Sequence, residues 1–271
     1  MTFAEVATAL TKLGYPLIVA AGIGVARALG MVLITPAFNR LGLTGLLRSA
    51  VAVTLSLPLI VPTFETLSTM GPLSSVTIAT LLVKELLIGV MIGLLFGIPF
   101  WAAEVAGELV DLQRGSTMAQ LIDPMNSTES GVTSTLLSVM LVAMFFITGG
   151  FLLLLDGFYQ SYALWPVDEL MPRMEARTAL AALGLLDQIM RTGVLLIAPL
   201  VIAILVADVM MAYLARMAPN LHVFDLSLPV KNLIFTVILL IYLVFLVPQM
   251  LDMLAAMSDH YQRFEALIGT L

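Results

Sequence analysis

The chain has no cysteine, two histidines and few charged residues. The lack of cysteine excludes disulfides, thiolate metal sites and cysteine nucleophiles. Charged residues make up 11% of the sequence, whereas globular domains carry about 25%, so the composition excludes an ordinary soluble domain. The 12 basic residues form no cluster and are outnumbered by 18 acidic ones, which leaves no electrostatic footprint for nucleic acid.

Hydrophobic residues are abundant instead. They account for 61% of the chain, and the mean hydropathy is +1.07. Because no hydrophilic block is long enough for a separate domain, the composition predicts one integral membrane domain over 1–271 with short tails. No signal-peptide pattern precedes the first apolar segment, so that segment would itself direct insertion.

A membrane-spanning helix needs about 20 mostly apolar residues. Helices are predicted because the apolar runs lack the alternating pattern of membrane strands, which gives an all-α membrane protein. Six segments meet or approach this length: 16–37, 46–63, 77–102, 132–155, 188–215 and 228–250. The second is expected to be short or incomplete, and 157–187 has the pattern of an amphipathic helix on the membrane surface or against a partner. Lysine and arginine divide evenly between the two sides of a six-span topology, so they predict no orientation.

A polar insert, residues 103–131, interrupts the apolar pattern. Glu104, Glu108 and Asp111 share one helical face, which would point either to a water-filled cavity or to solvent at an interfacial helix. Gly115 and then Asp123-Pro124 are expected to break the helix. Small residues and an adaptable methionine between these breaks suit a constriction that opens, although a generic loop also fits.

Four ionisable residues lie in or near the predicted spans, where charge is costly. Arg27 is mid-span, and an interhelical or inter-subunit salt bridge is favoured over a transport role. Lys84 and Glu85 are near the start of the third span and are expected to reach the interface. Asp208 has no ionisable neighbour on its own helix, so a packing hydrogen bond is favoured over a proton relay.

Two other functional classes have less support in the sequence. A stand-alone proton-coupled transporter would use Arg27, Asp208 and the acidic face, but predicts internal repeats that the sequence does not display. An intramembrane enzyme would need a catalytic constellation, and no HExxH, GxSxG or phosphate-loop pattern is present.

The insert and the region before the last span resemble the FliR/SctT family of type III secretion export-apparatus proteins. The shared insert residues are Gly107-Glu108, Gln113-x-Gly115, Ala119 and Asp123-Pro124. A second stretch is Pro219-Asn220-Leu221-His222-Val223-Phe224, followed by Leu228-Pro229-x-Lys231. Arg114 and the run from Phe224 to Pro229 favour the injectisome branch over flagellar FliR.

The resemblance implies an export-gate subunit of the bacterial inner membrane that helps form and seal a pore for unfolded secreted proteins. It implies an SctR-like part at 1–185, an SctS-like hairpin at 186–260, a tail at 261–271, and some helices bent into hairpins. Five SctR-like and four SctS-like subunits and an SctU-like switch protein would be its partners, in a complex partly raised toward the periplasm. Neither an enzymatic activity nor a cofactor is expected.

The site expected from this reading has two parts. The gate itself would comprise Gly107, Glu108, Asp111, Gln113, Arg114, Gly115, Met118, Ala119, Asp123 and Pro124. Within it the glycines would act as hinges, Met118 as the seal, and the charged residues as contacts that hold the closed state. Contacts with neighbouring subunits would involve Arg27, Phe224, Pro229 and Lys231.

Overall fold

The computed structural model describes residues 3–43, 45–71, 73–115, 131–169, 176–218 and 223–269. Across these ranges the chain is helical and contains no strand. The helices are α1 Phe3–Ile34, α2 Pro36–Arg40, α3 Gly45–Ser56, α4 Ile60–Thr69, α5 Ser75–Arg114, α6 Val132–Ile147, α7 Gly150–Leu164, α8 Ala176–Met217 and α9 Val223–Gly269. The all-α prediction is therefore confirmed.

Five helical segments in the described ranges are long and apolar enough to cross a membrane. They are Gly14–Ile34, Gly45–Thr69, Ser75–Arg114, Asp187–Met217 and Leu226–Met257, and the bent pair α6–α7 makes a sixth if it counts as one span. These segments match the six predicted ones in position, and they make the chain a multi-pass membrane protein.

The structure corrects the predicted length of the second span and shows where the fourth is bent. The second span is not short, because a 3-10 turn at Leu57–Leu59 joins α3 to α4 and carries the segment to Thr69. Pro58 lies in that turn and Pro62 in the first turn of α4, where a missing N–H removes no helix hydrogen bond. The fourth segment bends at Gly149, whose φ of +81° favours glycine, which confirms the expectation of bent helices.

An amphipathic helix was predicted within 157–187; residues 170–175 lie outside the described residues, and the described ones belong to α7, to the segment after it and to the start of α8. Helix α7 ends at Leu164, and Trp165 leaves the helical region because the following Pro166 disfavours it. From Ala176 onward the chain is already part of α8.

The chain divides into two compact units made of interleaved segments. Unit 1 contains Met1–Gly97, Gly149–Ala182 and Met257–Leu271, and unit 2 contains Ile98–Thr148 and Leu183–Ala256. In unit 1 a buried apolar cluster joins α1, α4 and α5 to the segment after α7: Ala20, Ile23, Leu67, Leu81 and Val167.

Glycines bring α1 and α5 together in unit 1. A methyl group at Gly89 would clash with the Arg27 carbonyl oxygen, and one at Gly30 would clash with that of Leu86. At Gly93 it would press on the Met31 carbonyl oxygen. Small residues at such positions let membrane helices approach to backbone contact, which places side chains of the two helices within hydrogen-bonding range.

In unit 2, α5 packs against α6 and α8. Phe100 meets Phe145 edge to face at 5.3 Å between ring centroids, and Gly193 lies against the Ala102 carbonyl oxygen. The Tyr242 hydroxyl of α9 reaches the Leu196 carbonyl of α8 at 2.9 Å, so α8 and α9 are joined as a hairpin.

Candidate functional site at the base of the polar insert

Helix α5 ends where the sequence predicted a break. Its last residue is Arg114, and Gly115 follows with φ +78° while donating its N–H to the Leu112 carbonyl at 3.1 Å. This left-handed conformation is the usual helix terminator and favours glycine. Residues 103–114 of the insert are thus the last turns of α5, and the chain leaves this helix at a fixed point.

Helix α6 begins without a capping side chain of its own. Its N-cap residue is Gly131, so the first N–H groups of the helix need acceptors from elsewhere. Helix α5 supplies them: Glu108 Oε1 accepts from the Gly131 N–H at 2.8 Å, and Asp111 Oδ2 accepts from Thr133 at 2.9 Å and Ser134 at 3.4 Å. Carboxylates suit this position because the helix N-terminus is electropositive.

Two glycines allow this approach. A methyl group at Gly107 would clash with the Ser134 backbone, and one at Gly131 would clash with the Asp111 carboxylate. Gly107 lies inside the continuous helix α5, and this close packing accounts for a glycine at the position; its role as a hinge stays a prediction.

Arg114 completes the charge balance around Asp111. Its Nη2 lies 2.6 Å from Asp111 Oδ1, and the Asp111 side chain is fully buried. The guanidinium carbon also lies 4.8 Å from the centre of the Phe235 ring of α9, a cation–π contact. Arg114 thus links the end of α5 to the hairpin.

Lys231 makes a second link to the hairpin. Its ammonium donates to the Gln113 carbonyl at 3.4 Å and forms an ion pair with Asp208 of α8. Asp208 was expected to be a packing hydrogen-bond partner rather than a proton relay; in the structure its partner is a charged residue, Lys231, on the neighbouring helix.

We call this assembly the insert base and define it as Glu108, Asp111, Gln113, Arg114, Gly115, Gly131, Asp208, Lys231 and Phe235. The structure brings together Gly107, Glu108, Asp111, Gln113, Arg114 and Gly115 of the predicted gate with the predicted interface residue Lys231. On the acidic face Asp111 is buried, whereas Glu104 and Glu108 are partly exposed. Glu108 and Asp111 bind backbone N–H groups of α6.

The other predicted gate and interface residues are not part of the insert base. Met118, Ala119, Asp123 and Pro124 lie outside the described residues. Pro229 is exposed on α9, and Phe224 lies in the first turn of that helix.

Unit 1 contains a separate buried polar cluster around Arg27. The Arg27 guanidinium is fully buried and donates to Glu85 Oε2 at 2.5 Å, Ser161 Oγ at 2.9 Å and the Trp165 carbonyl at 2.8 Å. It also covers the Tyr162 ring at 3.7 Å. The predicted interhelical salt bridge of Arg27 is present, and its partners belong to its own chain.

The interpretation of Lys84 and Glu85 was wrong. Neither side chain reaches the interface: Lys84 is 5% exposed and Glu85 is fully buried. One feature of the sequence does indicate their burial. Two adjacent charges lie about one helical turn before Gly89, on a helix that is otherwise rich in apolar residues. A buried cation elsewhere in the bundle, Arg27, needed such a partner.

Sequence reasoning also missed the N–H donors of Gly131, Thr133 and Ser134. The signal was present there too, because a glycine at the expected start of an apolar helix leaves its first turn without an acceptor. Phe235 gave no signal that separates it from other apolar residues of α9.

Known proteins resemble this chain over much of its length. A family described as bacterial export proteins, family 1, matches residues 18–257. The Yop proteins translocation protein T of Yersinia pestis is 39% identical over 166 residues, which are 61% of this chain and 64% of that protein. The surface presentation of antigens protein SpaR of Salmonella typhimurium is 31% identical over 163 residues, 60% of each chain.

Similarity to a flagellar relative is lower. The flagellar biosynthetic protein FliR of Bacillus subtilis is 27% identical over 159 residues, 58% of this chain and 61% of that protein. This order confirms the prediction that the injectisome branch is favoured. The chain matches less than two thirds of the length of each of these relatives. Because the family match extends over most of the sequence, the chain belongs to the bacterial export proteins, family 1.

Proposed function

We propose that this protein is a subunit of a type III secretion export gate in the bacterial inner membrane. Its insert would help form and seal the pore through which unfolded secreted proteins pass. The family membership, the names of the relatives and the apolar helical segments of the described ranges, which are long enough to cross a membrane, support this function. The subunit would perform no covalent chemistry and would bind no cofactor.

The observation that carries the proposal is the insert base. The chain leaves α5 at Gly115, whose N–H binds the Leu112 carbonyl, and α6 begins after Gly131, whose N–H binds Glu108. Both glycines belong to the insert base. A segment anchored at both ends can change conformation between its anchors while the helices stay packed. In our proposal residues 116–130, including Met118, Ala119, Asp123 and Pro124, close the pore, and the insert base holds them in place.

We also propose that the hairpin α8–α9 binds neighbouring gate subunits. Its candidate spans bury only 28% and 17% of their residues within this chain, so most of their apolar surface is free to contact partners or lipid. The partners would be five SctR-like and four SctS-like subunits, with an SctU-like switch protein near Lys231, Phe224 and Pro229. Such a complex would be partly raised toward the periplasm.

The test of the seal uses the assembled gate. The chain is co-expressed with its export-apparatus neighbours, and residues 116–122 are deleted or Met118 is changed to alanine. We expect the complex to assemble but to leak ions when reconstituted in vesicles, because the barrier is thinned while the insert base is intact. Met140→Ala, a methionine of α6, is the matched control and should leave the seal tight.

Two results would contradict the proposal. A tight ion seal in a fully assembled complex that carries the deletion would exclude the insert from the barrier. Solute transport by the chain alone in vesicles would instead favour a stand-alone transporter.

A further inference from the structure

Lys84 lies at the centre of a group of oxygen atoms in unit 1. It is on α5 and is 5% exposed. Its ammonium donates to the carbonyl oxygens of Pro166 at 2.9 Å, Val167 at 3.1 Å and Glu169 at 2.9 Å. All three belong to residues 165–169, the segment after α7 that we call the connector.

A fourth oxygen lies at the same distance. Glu85 Oε1 is 2.9 Å from the Lys84 nitrogen, but the geometry is not that of a hydrogen bond. A lysine ammonium has three N–H donors, and the three carbonyls account for all of them. The Glu85 oxygen is therefore attracted to the ammonium by charge and not by a hydrogen bond. A spherical cation, which has no N–H groups, would attract it in the same way.

We propose that the connector and Glu85 form a site for a monovalent cation, which the Lys84 ammonium fills as a tethered ion. Backbone carbonyl oxygens are the ligands that coordinate potassium in selective sites. A free ammonium ion is a second candidate, because it has four N–H groups and the charge of the Lys84 ammonium. Removal of the lysine side chain should therefore leave a site that either ion can occupy.

The surroundings explain why a cation is needed. Val167 is 5% exposed, and buried carbonyls require a donor or a cation. The Glu85 carboxylate pairs with both Lys84 and Arg27. Arg27 also donates to the first carbonyl of the connector, that of Trp165. Lys84 is thus a positioning residue that fixes the backbone of the connector. This inference rests on unit 1 and does not depend on the function of the insert.

The absence of cysteine from the chain makes the site accessible to experiment. In the purified full chain, Val167→Cys places a thiol in the buried part of the connector, and its rate of maleimide labelling reports connector opening. Asp168→Cys, at an exposed position, is the reference and should label quickly in every background. Each reporter is combined with Lys84, with Lys84→Ala or with Lys84→Met, in potassium, ammonium or choline chloride at equal ionic strength.

We expect labelling of Val167→Cys to be slow when Lys84 is present and about tenfold faster or more in Lys84→Ala with choline, as local opening becomes common. Potassium or ammonium should slow the labelling again in Lys84→Ala. These ions should have no effect in Lys84→Met, because the methionine side chain fills the space that the ion would occupy. If Lys84→Ala folds poorly, the readout is the yield of folded chain, which should rise in potassium or ammonium relative to choline.

Unchanged labelling in Lys84→Ala would show that Lys84 does not hold the connector. Equal labelling, or equal yield, in all three salts would show that no cation site is left behind. Either result overturns the proposal.

Discussion

The polar cluster around Arg27 and the insert base each place charged side chains against the end of a helix, but the charges are of opposite sign. In unit 1, Arg27 and Lys84 reach carbonyl oxygens at and beyond the C-terminal end of α7. In unit 2, Glu108 and Asp111 reach N–H groups at the N-terminal end of α6. Both arrangements agree with the helix dipole, which favours cations at the C-terminus and anions at the N-terminus.

The two clusters also differ in burial and charge balance. Around Arg27 two cations share one carboxylate, and Arg27, Lys84 and Glu85 are all buried. In the insert base Asp111 is buried, whereas Arg114 is 13% exposed and Asp208 is 37% exposed. Since a buried charge without a partner is far more costly than an exposed one, removing one member of the first cluster should destabilise the fold more than removing one member of the second. The second is better suited to rearrangement.

The largest difference is expected from Glu85→Gln. This change leaves Arg27 and Lys84 buried without their carboxylate, and breaking a buried pair costs about 3–5 kcal/mol. Denaturant titration of the full chain in mild detergent should detect the loss. Glu65→Gln is the matched control, because Glu65 is exposed on α4, and it should change the unfolding free energy by less than about 0.5 kcal/mol. Equal effects of the two variants would mean that the Arg27 cluster does not stabilise the fold.

A smaller, local effect is expected from Asp111→Asn. The amide keeps the shape of the carboxylate but loses the charge that accepts from Thr133 and Ser134 and pairs with Arg114, at a cost of about 1–3 kcal/mol. Hydrogen exchange should become faster in the first turn of α6 while the rest of unit 2 is unchanged. Glu108→Gln should have less effect, since Glu108 is only partly buried and accepts from Gly131 alone among these amides. Unchanged exchange in Asp111→Asn would argue against the carboxylate as the cap of α6.

The sequence predicted the features that depend on neighbouring residues. The apolar runs located the spans, because their length and composition are local properties. Gly115 marked the end of α5 for the same reason. The acidic face at Glu108 and Asp111 was also recognised, since spacings of three and four place side chains on one side of a helix.

What the sequence could not supply is which helix each face meets. Arg27 and Glu85 are 58 positions apart, and Thr133 is 22 positions from Asp111. Lys84 and Glu85 were expected at the membrane interface because they lie near the start of the third span. That argument uses only their position along α5 and ignores the helices that pack against it. Their burial depends on the close approach of α1 and α5 at Gly30 and Gly89, which becomes visible only once the helices are packed.

The smallest effect is expected at the ion pair between Lys231 and Asp208. Both side chains are partly exposed, at 16% and 37%, and pairs of this kind contribute about 0–1 kcal/mol. A double-mutant cycle of Lys231→Met and Asp208→Asn should therefore give a coupling energy below about 1 kcal/mol in unfolding measurements. The same variants should alter the ion seal of the assembled gate more than its stability, because Lys231 also holds the Gln113 carbonyl beside Gly115. A coupling energy as large as the effect of Glu85→Gln would show that this pair stabilises the fold as much as the Arg27 cluster does. The proposed difference between the two regions would then be wrong.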